Sequence, residues 1–126
     1  MIGLTRAMRV FAYGAPVDLR KGFNALSALV EQEMKHRIVD GDAYLFLGRN
    51  PRRAKVLYFD GTGLCLLAKR LEAGRFARTW RRSGGAVLSL TLSELALLLE
   101  GSELIARKPL APPTFDEKSL AVEIPI

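Results

Sequence analysis

The sequence predicts an α+β protein: a mainly antiparallel β-meander sheet, two principal helices and a Pro-rich C-terminal arm. Three observations predict it. Short β-prone runs alternate with Gly, Asp, Asn and Pro turn signals between residues 43 and 80. Stretches before and after that region carry apolar residues at helical spacing. Four of the six prolines fall after residue 106. The chain therefore divides into a single domain over residues 1–105 and an arm over 106–126. At 126 residues there is one domain with enough chain for a real core.

The elements follow in order. Residues 8–13 (MRVFAY) read as a strand stopped by Gly14 and Pro16. Asp18 is placed to cap a helix from Leu19 to about Lys35, with Phe23, Leu26, Leu29, Val30 and Met34 on one face. Arg20 and Lys21 then fall in its first turn, where outward-pointing backbone N–H groups favour an anion such as phosphate. After the turn Asp40-Gly41-Asp42, residues 43–47 (AYLFL) are apolar on both faces, as an interior strand requires. The loop Arg49-Asn50-Pro51-Arg52-Arg53 leads to strands over 55–60 and 64–71, joined by Asp60-Gly61-Thr62-Gly63. A turn at Glu72-Ala73-Gly74 introduces a fourth meander strand, residues 75–80, on which Phe76, Arg78 and Trp80 would share one face. Such a meander places the Arg49/Arg52/Arg53 loop, Arg70, Arg75 and the 72–74 turn at one end. Asp60 would lie at the other, near Arg81 and Arg82.

Ser83-Gly84-Gly85 breaks the chain before a fifth strand over 86–90. Thr91 and Glu94 form a capping box for a helix over 92–100, closed by Gly101. In the arm, prolines 109, 112 and 113 hold the first half extended. Leu120, Val122, Ile124 and Ile126 then alternate with other residues, giving one apolar face. That end is expected to add a strand to an exposed sheet edge in this molecule, in a second copy (a homo-oligomer) or in another protein.

Charge is concentrated. Residues 49–82 hold ten basic and two acidic residues, net +8, while the remaining nine basic and eleven acidic residues net −2. The pI of about 9.9 points to an acidic partner, nucleic acid ahead of membrane. No apolar run is long enough to span a bilayer, and the N-terminus lacks the continuous apolar core of a signal peptide. Cys65 is the single cysteine and His36 the single histidine, so no internal disulfide forms and no Cys/His metal cluster exists. A lone thiol fits a reducing cytoplasm. No Walker-type loop or G-x-S-x-G is present.

The run KVLYFDGTGLCLLAKRLEAGRF resembles the signature of the small TnpB accessory proteins of three-gene bacterial insertion sequences, whose transposase is a separate DDE protein. The resemblance rests on Lys55, Leu57, Asp60, Gly63, Leu64, Lys69, Arg70, Leu71, Glu72, Gly74, Arg75 and Phe76. Upstream, DLRKGFNAL matches D-x-R-K-G-x-x-x-L at Asp18, Arg20, Lys21, Gly22 and Leu26; downstream, LSELALLLEG is similar to the C-terminal helix. Tyr58 and Phe59 stand where tryptophan is frequent, and Gly101-Ser102-Glu103-Leu104 replaces a Gly-Ile-Asp-Trp ending. The resemblance implies a role in transposition beside a transposase.

Together these readings give a non-enzymatic, nucleoid-associated accessory protein with no cofactor, whose partners are DNA and the transposase of the same element. The candidate DNA-binding residues are Arg49, Arg52, Arg53, Lys55, Lys69, Arg70, Arg75, Arg78, Arg81 and Arg82, with Arg20 and Lys21. Arginine suits phosphate through its bidentate planar fork. Phe76 and Trp80 interleave with Arg75 and Arg78, where stacking on unpaired bases competes with burial, the commoner fate of a tryptophan. Two other classes stand beside this one. A protein-interaction module would recruit the transposase without touching DNA. A metal-dependent nuclease would draw on Asp18, Asp60, Glu72 and Lys69, although Asp60 and Glu72 flank a strand and should lie on the order of 25 Å apart.

Overall fold

The computed structural model describes Leu4 and residues 8–101. The arm at 106–126, with its expected edge pairing, lies outside the described residues. Among the described residues five strands form one sheet in the order β4-β3-β2-β1-β5: β1 is Val10–Ala12, β2 Ala43–Leu47, β3 Arg53–Phe59, β4 Leu64–Arg70 and β5 Leu88–Leu90. β2–β3, β3–β4 and β1–β5 pair antiparallel, and β1–β2 pairs parallel. The sheet is thus mainly antiparallel, with the meander confined to β2–β3–β4. Helix α1 (Phe23–Ala28) covers one face, and α3 (Leu92–Leu99) with the short α2 (Thr79–Ser83) covers the other.

The alternation of β2 and β3 explains this sandwich. Tyr44, Phe46 and Leu57 point to one side, where they meet Leu26, Val30 and Met34. Leu45, Leu47, Val56 and Tyr58 point to the other, against Leu95, Leu98 and Leu99 of α3. All five residues of β2 are buried, as its two-sided apolar sequence required. On α3 the capping box is complete: Glu94 N donates to Thr91 Oγ1 at 3.0 Å, and Thr91 N to Glu94 Oε1 at 2.8 Å.

Four expectations are corrected. The first helix begins at Phe23, behind Gly22, and not at Leu19. Asp18 does not cap it, because its carboxylate is taken by the backbone N–H and guanidinium of Arg20. Arg20 and Lys21 consequently precede the helix instead of lying in its first turn. Past Ala28 the chain widens into a π-helical turn, Leu29–Glu33, in which Met34 N donates to Leu29 O at 2.9 Å. Phe23, expected on the apolar face, is 48% exposed.

Second, residues 75–80 do not form a strand. Gly74 turns with φ of 78°, and Phe76 N then donates to Pro51 O at 2.7 Å. The Phe76 ring is buried beneath α3, and Thr79 opens α2. Burial of one aromatic outweighs the pairing that a short alternating run would gain, and β4 is left at the sheet edge. Third, Arg81 and Arg82 do not lie near Asp60. They sit on α2 beside β5, whereas Asp60 follows β3, with β2 and β1 between that strand and β5. The fifth strand is also shorter than the 86–90 expected, with Leu88 and Leu90 buried and Ser89 exposed.

Candidate nucleic-acid interface

The basic residues gather where two loops meet at one end of the sheet. After β1 the chain bridges Val17 to Gly48, with Val17 N donating to Leu47 O at 2.9 Å. The β2–β3 turn is closed by Gly48 N to Arg53 O at 3.0 Å and Arg53 N to Asn50 O at 3.1 Å. Asn50 Oδ1 also accepts from Arg52 N at 3.0 Å, fixing the side-chain turn common for Asn. The loops approach closely: a Cβ on Gly48 would lie 3.2 Å from both Leu19 Cδ1 and Asn50 O.

Between the loops lies an open cleft of about 590 Å³, lined by Val17, Leu19, Arg20, Arg49, Asn50 and Arg53 among others. A smaller hollow of about 150 Å³ adjoins it, lined by Leu19, Arg53, Lys55, Ala68, Lys69 and Arg70. Leu19 and Arg53 belong to both. The register of β3 and β4 produces this, because Arg53 stands opposite Arg70 and Lys55 opposite Ala68 on the α1 side of the sheet. Lys69 projects from the other face of β4, at the rim. As expected, the 49–53 loop and the 72–74 turn share an end: Leu71 N donates to Arg52 O at 2.8 Å, and Arg52 Nη1 to Glu72 O at 3.1 Å.

These cations are not equally available. Arg20 is held by Asp18, Nε to Oδ1 at 3.0 Å and Nη2 to Oδ2 at 2.7 Å. Those bonds keep the Asp18 carboxyl far below its ordinary range. Arg70 reaches Glu72 Oε2 through Nε and Nη2 at 3.2 and 3.1 Å. Lys55 Nζ donates to Lys21 O at 2.9 Å, tying the α1 approach to the sheet. Among the described residues the side chains of Arg49 and Arg53 have no acceptor. They are the two uncommitted guanidiniums of the cleft.

The remaining candidates are elsewhere. Arg75 is exposed past the 72–74 turn, Arg78 precedes α2, and Arg81 and Arg82 lie on α2. Burial lowers the pKa of Arg82. Phe76 is 2% exposed and cannot stack on a base; Trp80 is half-buried against the core. Sequence reasoning missed Leu19 and Asn50 as parts of the cleft, although Asn before Pro51 was a readable turn signal.

The carboxylates do not converge. Asp60 and Glu72 lie at opposite ends of β4. Asp60 Oδ1 accepts from Thr62 N, Gly63 N and Thr62 Oγ1 at 2.9, 2.9 and 3.1 Å, which holds its pKa down to about 2. Among the described residues no group of three His, Cys, Asp or Glu side chains is placed to hold a metal. No helix there is long and apolar enough to cross a membrane.

Fold and site define a small three-layer α+β protein that presents an arginine-lined cleft beside a sheet edge. Residues 8–109 match the family described as IS66 Orf2 like protein. The chain belongs to this family, the TnpB type of insertion-sequence protein, and its role is that of an accessory protein of transposition. It is 35% identical over 94 residues to the uncharacterized protein y4hO of Sinorhizobium fredii, covering 75% of this chain and 80% of y4hO. The uncharacterized protein y4jC of the same organism is 34% identical over 116 residues, covering 90% and 97%. No solved structure matches.

Proposed function

We propose that this protein binds the DNA phosphate backbone at the Leu19–Arg53 cleft and so assists a separate transposase at the element's DNA. The observation that carries it is the pair of uncommitted guanidiniums, Arg49 and Arg53, at the meeting of two loops. Lys55 and Arg70 extend the same basic surface, with Lys69 at its rim. Phosphate contacts position a protein on DNA and release counterions, so affinity falls with salt in proportion to the contacts made. The role is non-enzymatic: the carboxylates a hydrolytic metal site would need are spread over the molecule, and each already serves a turn or an arginine. Nucleoid association follows from the binding.

The test is salt-dependent binding of duplex, single-stranded and element-end DNA. Arg49→Gln/Arg53→Gln should reduce the slope of log K against log salt by up to about 1.8, at about 0.9 per lost phosphate contact. Arg81→Gln, on the far side of the sheet, should leave the slope unchanged. Equal slopes for the double variant and the native protein would overturn the reading.

A further inference from the structure

β4 is a seven-residue strand whose outer side pairs with nothing among the described residues. Such an edge is a template for another strand, and proteins normally blunt it with charge, proline or a bulge. Here only Lys69 and Arg70 do so. The other half, Leu64 to Leu67, is apolar, and Leu67 is 36% exposed.

The ladder fixes which groups are open. Asp60 N donates to Gly63 O, and Leu71 N to Arg52 O. With the β3–β4 register, residues 65, 67 and 69 therefore direct their backbone groups to β3. Leu64, Leu66, Ala68 and Arg70 direct theirs outward. This spacing is self-complementary. When two copies of β4 lie antiparallel about a two-fold axis at Leu67, Leu64 bonds Arg70 of the second copy and Leu66 bonds Ala68. All four outward residues are then satisfied on both strands.

Side chains agree with that register. Leu67 meets its own symmetry mate, where opposed Cα atoms approach to about 4.5 Å. Lys69 stands opposite Cys65 of the second copy. Cys65 Sγ lies 3.5 Å from Asp60 Oδ2, so each lysine arrives beside a carboxylate. Isologous pairing of this kind is the commonest symmetric assembly. We infer that β4 is the interface for a second copy of this chain, joining two sheets into one of ten strands. The axis is perpendicular to the sheet, so both basic clefts fall on the same side of the dimer.

The experiment measures mass in solution over a concentration series by light scattering, with far-UV circular dichroism as the folding control. The native chain should approach twice 13.9 kDa. Ala68→Pro removes an outward N–H without touching the β3 ladder, and Leu67→Lys places like charges at the axis. Both should be monomeric with unchanged dichroism. Cys65→Ser/Leu67→Cys should form a covalent dimer on mild oxidation, because a non-hydrogen-bonded pair brings the two Cβ atoms within bridging range. Deleting residues 102–126 should leave the dimer intact. A native chain that stays monomeric at all concentrations overturns the inference. So does a dimer that survives Ala68→Pro and Leu67→Lys, or one lost with residues 102–126 and not cross-linked through position 67.

Discussion

At the scale of single residues, equal formal charge conceals unequal commitment. Arg20 and Arg53 line the same cleft, yet Asp18 holds the first in a two-bond clasp and no described residue holds the second. Asp60 is committed in a different sense, because three donors converge on one oxygen and keep the carboxyl ionised. Its pKa falls to about 2 on folding from an ordinary 3.8. A depressed carboxyl stabilises the fold above its unfolded pKa and loses that contribution as pH falls through the folded value. The native urea midpoint should therefore decline between about pH 4 and pH 2. Asp60→Asn, which keeps an acceptor but cannot titrate, should make that part of the profile shallower, the remaining decline coming from Asp18. Glycine positions divide as sharply. A Cβ at Gly14 would sit 2.2 Å from Gly85 O, whereas at Gly22 it would meet nothing within 4 Å. Gly14→Ala should cost at least about 1–3 kcal/mol in denaturant unfolding, and Gly22→Ala no more than about 0.5 kcal/mol.

At the scale of elements, local signals were legible where they were self-contained. The capping box at Thr91 and Glu94, the two-sided apolar β2 and the Asp60–Gly63 hairpin turn each lie within a few residues, and each formed as read. Elements decided by distant partners were not legible. Residues 75–80 alternate like a strand, but Phe76 is claimed by Pro51 O and by the α3 side of the core, neither visible in six residues of sequence. The parallel β1–β2 pairing depends on how α1 carries the chain across the sheet, which no local pattern specifies. In the cleft, the sequence counted cations and missed the Leu19 floor, because that contact joins loops about thirty residues apart. The legible part can be measured. Thr91→Ala should cost about 1 kcal/mol through the lost cap. Leu98→Ala, fully buried beneath the sheet, should cost about 2–5 kcal/mol. Both are read from urea midpoints.

At the scale of the whole molecule, folding sorts the charge of residues 49–82 into a cleft side and an α2 side; Asp18 is the acid in the cleft itself, and Glu72 is the acid of that segment placed beside the cleft's cations. Its carboxylate binds Arg70 at 3.1 Å while its carbonyl accepts from Arg52. Glu72→Gln would keep the carbonyl contact, remove one negative charge and release the Arg70 fork. For a phosphate-binding surface the result is tighter binding at low salt. The slope of log K against log salt should steepen by up to about 0.9, one added phosphate contact. A hydrolytic site built on the same residue responds in the opposite way: losing a metal-binding carboxylate removes the rate and weakens metal-dependent binding. Asp60→Ala sharpens the contrast, since its carboxylate lies at the far end of β4. It should lower thermal stability through the hairpin turn and leave the salt slope unchanged. Nicking of element-end DNA with magnesium, followed by gel electrophoresis, completes the comparison. We expect none from the native protein or either variant. Magnesium-dependent nicking by the purified native chain that disappears in Glu72→Gln would overturn the non-enzymatic reading, whatever the binding slopes show.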